Sequence, residues 1–193
     1  MLLVSQLTGL LAITVVVAAG QLDAPSFGEA PPAIGAGVAQ LVGIAALYRA
    51  LAIGTMSVIS PISASGAAVL PVIVGVATGE RPEALQYAGM AAALVGVVLA
   101  TRAPESPNGA SSSSREALLL SGLAALGFGL FFTGMDAAVE EAGPYWSLLV
   151  ARVTACALLG AALLALRPRL AFDRAALPSL ALIGALDVAA NAF

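Results

Sequence analysis

Two stretches of this chain, residues 57–77 and 85–100, contain no charged side chain, and only the short polar turn Gly79-Glu80-Arg81-Pro82-Glu83 lies between them. At about 1.5 Å of rise per residue, each stretch crosses or nearly crosses a hydrocarbon layer of about 30 Å as a helix. A helix at the surface of a soluble domain keeps one polar face. Neither stretch has one, so 48–100 is predicted to hold a transmembrane hairpin, with the other apolar segments packed around it.

Composition bears on which solvent the chain was built for. Sixty per cent of the residues are hydrophobic and 10% are charged, against about 25% charged in ordinary soluble domains. That much apolar surface points to lipid rather than water. The net charge of -3, with no basic stripe, argues against a nucleic-acid partner. Histidine is absent, which removes the commonest metal ligand and proton shuttle. The lone Cys156 sits in an apolar run and reads as a small packing residue that has no disulfide partner within the chain. Neither clustered carboxylates nor a Gly-rich phosphate loop is present. The expectation is therefore no catalytic residue, no metal, no cofactor and no enzyme.

The remaining segments extend the pattern to about seven spans. Residues 2–20 end in Ala18-Ala19-Gly20, which resembles a signal cleavage site, but no Lys or Arg precedes the apolar run, so a span is expected. A loop at 21–32 carries Asp23, Pro25, Glu29 and the Pro31-Pro32 pair. The second span, 33–53, has Gly35, Gly37 and Gly43 where neighbouring helices can approach. Gly54-Thr55 turns the chain into the third span, 57–78. The fourth, 84–101, places Gly89 and Gly96 on one face. Residues 102–116, RAPESPNGASSSSRE, read as a solvated Ser/Pro-rich linker. The fifth span runs from 117 to about 137, followed by a polar loop with Glu140, Glu141, Gly143 and Pro144. The sixth is 145–166. A loop with Arg167, Arg169, Asp173 and Arg174 leads into the seventh, 175–193.

The chain also carries a weak internal repeat. Sliding it until Leu2-Leu3-Val4 falls on Leu148-Leu149-Val150 also sets Thr8 on Thr154, Gln6 on Arg152, Pro32 on Pro178 and Val42 on Val188. The shared spacing of helix, loop and helix is stronger evidence than the identities. Complete units of five spans, an odd number, insert with opposite topology.

Several local strings resemble the EamA-type family of the drug/metabolite transporter superfamily. They are Tyr48-Arg49-Ala50-Leu51, then Ser60-Pro61 and Leu70-Pro71, Gly79-Glu80, Gln86-Tyr87-Ala88-Gly89 and Gly96-Val97-Val98-Leu99, with Arg152 and Leu186-Asp187-Val188-Ala189-Ala190-Asn191 in the second half. The resemblance implies an all-α integral membrane protein on a ten-helix, five-plus-five inverted-repeat plan. Of that plan the chain would supply helices two to eight, truncated at both ends. Residues 1–101 would be a first repeat without its first helix, 102–116 the linker, and 117–193 a second repeat without its last two. The implied activity is secondary transport or export of small metabolites, amino acids or drugs by alternating access, in a multi-pass protein of the bacterial plasma membrane. The alternative expectation is a non-transporting membrane fragment or scaffold. The family plan places the linker outside, whereas the arginine distribution places it in the cytoplasm.

Ionisable groups at membrane depth face a cavity or a partner. Arg49, near the end of the second span, reads first as an interface anchor, and Asp136 as a charge at a loop edge. Arg152 reads either as a helix-end group or as a substrate contact. Asp187 and Asn191, one turn apart, form the best polar pair, as a cavity feature or as a bond between helices. Gln40 and Tyr48 follow at two four-residue steps and are expected on roughly one face, lining a cavity or packing. Ser60 and Ser63 flank Pro61, whose missing N–H frees a carbonyl that needs a donor. A broken helix of this kind can hold substrate or merely kink. The candidate cavity is thus Gln40, Tyr48, Ser60, Pro61, Ser63, Arg152, Asp187 and Asn191, with the bilayer and an unassigned small solute as partners. Tyr145 and Trp146 read as interface aromatics.

Overall fold

The computed structural model describes residues 2–20, 26–101 and 114–166, together with 178–179, 182, 184, 186–187 and 190. Among the described residues the chain forms helices α1 (Leu2–Gly20), α2 (Pro31–Ile53), α3 (Met56–Thr78), α4 (Ala84–Thr101), α5 (Arg115–Ala142) and α6 (Pro144–Leu166), with one short 3-10 turn at Phe27–Glu29. Four of these, α2, α3, α5 and α6, are long and apolar enough to cross a membrane. The architecture is all-α, and four such helices are the mark of a multi-pass membrane protein. Leu11, Leu119 and Leu164 stand 66%, 65% and 79% exposed, which suits acyl chains and not water.

The helix ends follow local chemistry. In the turn at 26–29 the Ser26 N–H donates to Glu29 Oε2 at 3.0 Å. Pro31 then opens α2, at a position where a missing N–H costs nothing. Thr55, extended, caps α3 through its carbonyl, which accepts from the N–H groups of Val58 and Ile59 at 3.0 Å. Helix α3 continues through Pro61 and Pro71. The carbonyl that Pro61 leaves without a donor belongs to Ser57, in the exposed first turn, where water can serve it. At the other end, Gly79 takes φ 104°. Its N–H bonds Val76 O at 3.2 Å while that of Glu80 bonds Gly75 O at 2.9 Å, closing the helix as glycine at this position commonly does.

Helix α5 is longer than the sequence reading. Glu140 and Glu141, expected in a loop, are helical. Acidic groups oppose the dipole at a helix C-terminus, but both are exposed, where solvent weakens that repulsion. The break comes at Gly143, with φ 74°, and Pro144 begins α6 at once. The buried Ser147 Oγ lies 2.7 Å from both Ala138 O and Gly143 O, tying the two helices at their joint.

The chain divides into two compact units, one formed by Met1–Val38 with Gly134–Phe193 and the other by Ala39–Thr133. In the first, α1 packs along α6. Gln6 meets Arg152, while Ile13 and Val17 cluster with Leu148 and with Tyr145 and Trp146 beside it. Contacts that climb one helix as they descend the other make the pair antiparallel. Tyr145 and Trp146 therefore contribute to packing, beyond the interface role expected of them. In the second unit, α3 packs along α4. Ala50, Ile59 and Ala117 form a core flanked by Leu47, Leu51, Ile53 and Leu120. Here α2 and α5 touch through backbone, since a Cβ added to Gly127 would lie 2.6 Å from Gly43 Cα. Gly35, expected to receive a neighbour, has nothing within 4 Å of an added Cβ, and the same holds for Gly89 and Gly96.

Candidate functional site

Apart from Ser147 at the α5–α6 joint, the buried polar side chains of the first unit meet at Arg152, two turns into α6. This residue is 2% exposed. An isolated charge at such depth is costly, and partners must offset the lost hydration. Its Nη1 donates to Gln6 Oε1 at 2.5 Å, which brings the polar residue of α1 onto the arginine of α6. Its Nη2 forms an ion pair with Asp187 Oδ2. The third donor, Nε, is buried and finds no partner among the described residues.

Asp187 reaches this position because of a glycine one turn earlier. Gly184 is buried directly against α1, where an added Cβ would lie 3.1 Å from Thr8 Cβ and 3.2 Å from Gly9 N. No other residue type allows that approach. Gly37 plays the same part between α2 and α6, where an added Cβ would fall 2.9 Å from Thr154 Cβ and against Ala151 O. The Asp187 side chain is 43% exposed, against 3% for that of Arg152. The cluster is thus a buried cation held by one neutral acceptor and one carboxylate, and the carboxylate is its accessible side.

The other expected site residues are placed differently. Gln40 is buried in α2, and its Oε1 has no partner among the described residues. Tyr48 is 57% exposed, so the two do not share an environment. Each four-residue step overshoots a turn by about 40°, and two steps separate the side chains by about 80°. Ser60 and Pro61 are half-buried in α3. Ser63 is buried and donates across to Ser121 O at 3.4 Å, a long bond. Ser65, absent from the expected set, lies 2.8 Å from Pro61 O and 3.1 Å from Ile62 O. Asn191 lies outside the described residues. Of the eight, Arg152 and Asp187 are brought into contact across 35 residues of sequence. Arg49 pairs with Glu116 at 3.7 Å, with both side chains exposed, and Asp136 is exposed on α5.

The residue the sequence reading left out is Gln6. Its signal was present, because the repeat slide lays Gln6 on Arg152. Among the described residues no three His, Cys, Asp or Glu side chains gather in a way that could hold a metal ion. No protein-family model, curated protein or solved structure matches the chain.

Proposed function

We propose that the chain is an EamA-type secondary carrier, moving a small metabolite by alternating access between two back-to-front repeats. The observation that carries this reading is the contact between Gln6 and Arg152, which lie 146 residues apart. The same offset superposes the halves of the sequence. In an antiparallel helix pair related by a two-fold axis, only a residue on the axis touches its own equivalent. Gln6 and Arg152 meet that condition.

A second pair of contacts supports it. Gly37 lies against Ala151 and Thr154, and Gly184 lies against Ser5 and Thr8. The slide sets Ser5 on Ala151, Thr8 on Thr154, and Gly184 on Val38, the neighbour of Gly37. One contact is therefore a copy of the other to within a residue. On this reading the seven predicted spans belong to inverted repeats, and the polar group on their axis is where a solute path would run. A buried cation of this kind marks a functional site by default.

The test is flux. Purified protein is reconstituted into vesicles, and exchange of labelled amino acids and related small metabolites is followed. Solute-selective, saturable uptake supports the carrier, and uptake no faster than in empty vesicles removes it. Accessibility of tags near 21–25 and 167–177, the positions after α1 and α6, tests the inversion. Opposite sides are expected, and a common side refutes it.

A further inference from the structure

We propose that Arg152 is the recognition group for a carboxylate-bearing solute, which displaces Asp187 from Nη2 and fills the adjacent Nε–H at the same time. The inference deepens the carrier reading and rests on it. It starts from an incomplete match. The Nε and Nη2 edge of a guanidinium is a two-pronged fork suited to both oxygens of a carboxylate. Here Asp187 takes Nη2 through Oδ2, while Nε is buried without a partner among the described residues. Buried donors are almost always satisfied, and one that is not calls for an explanation. An incoming carboxylate free to orient itself satisfies both prongs.

The rest of the cluster fits that exchange. Gln6 holds Nη1 at 2.5 Å and fixes the plane of the guanidinium, leaving the fork aimed at the Asp187 side. Asp187 is the accessible member of the pair, 43% exposed, so its carboxylate already meets solvent and stays hydrated when Nη2 is given up. One carboxylate then replaces another, and the buried charge balance at Arg152 is unchanged. A phosphate dianion would put a second negative charge beside the same cation, and a neutral amide would leave the cation uncompensated. Discrimination against both follows from the arginine pairing with a single negative charge. Asp187 acts as a built-in competitor that neutralises the site between visits.

Equilibrium binding by the full chain in detergent micelles tests this. Trp146, the only tryptophan, lies on α6 about 9 Å along the axis from Arg152, and its fluorescence is the readout. The probes are propionate, its isostere propionamide, and inorganic phosphate. Saturable binding of propionate alone is expected. Asp187→Asn, which removes the competing charge and keeps an acceptor, is expected to lower the half-saturating propionate concentration about tenfold or more. Arg152→Lys, which keeps the charge and loses the fork, is expected to raise it by about tenfold or more. Arg152→Gln should abolish saturation. Should that variant fail to fold, the Asn and Lys variants decide. Equal binding of propionamide or phosphate, no tightening in Asp187→Asn, an unaltered Arg152→Lys, or no propionate binding by either wild type or Asp187→Asn overturns the proposal. The assay needs no transport. A chain that binds propionate but moves nothing in vesicles keeps this site and loses the carrier reading. One that moves a neutral solute yet binds no propionate does the reverse.

Discussion

In the unit formed by Met1–Val38 and Gly134–Phe193, helices α1 and α6 meet around a buried guanidinium, in addition to the close contacts of Gly37 and Gly184; in the unit Ala39–Thr133, helices meet through glycine and alanine without a buried charge among the described residues. The ion pair found in the second unit, Arg49–Glu116, is 3.7 Å long and lies in the open. The two ways of joining helices fix different quantities. A buried charge fixes register, because a slip of one residue leaves it unpaired in a medium that cannot hydrate it. A glycine contact fixes distance, because the backbones approach until they touch and gain dispersion over their whole length. The first unit should therefore fail by loss of a partner as well as by gain of a methyl group, and the second by gain of a methyl group alone.

Removing the partner is the harsher test. Asp187→Ala leaves the Arg152 charge with Gln6 alone and is expected to cost about 3–5 kcal/mol. The cost is read as a lower midpoint in an unfolding titration with a denaturing detergent in mixed micelles, followed by circular dichroism. A loss well below about 1 kcal/mol would mean that the charge is hydrated after all, and the contrast between the units would collapse. Next comes the steric test. Gly127→Val drives a side chain into Gly43, whose Cα would lie 2.6 Å from the new Cβ, at a cost of about 1–3 kcal/mol by the same titration. Gly89→Ala sharpens it, because nothing lies within 4 Å of that Cβ. That variant should be neutral or more stable, by up to about 1 kcal/mol of helix propensity. If both glycine variants lose stability alike, close approach is not what holds the second unit. The smallest effect belongs to Glu116→Ala. An exposed pair contributes about 0–1 kcal/mol, so its midpoint should barely move, and less still at high salt.

The sequence located helices far better than it located their contacts. The ends of α1 and α4 were legible to the residue, and those of α2, α3 and α6 within two, because an apolar run with at most one charge, set between polar turns, has one reading when lipid is the solvent. Helix α5 ran past its expected end because Glu140 and Glu141 look like loop residues to a rule about charge. Exposure made that charge tolerable, and Gly143 set the stop. Contacts were harder to see. Gly37 and Gly43 pack against neighbours while Gly35 does not. In helices apolar all round, no polar face reports which side is inside. The pairing of Arg152 with Gln6 was half legible, since the internal repeat aligned the two. Nothing in the spacing foretold that they would touch.

The joint at Gly143 has a consequence for how the protein is made. A single residue separates the last residue of α5 from the first of α6. The two helices have no slack to enter the bilayer one at a time, so they enter as a hairpin. Glu140 and Glu141 ride at its tip. Whichever compartment those two carboxylates reach during synthesis, α5 and α6 take their orientations together from that one event.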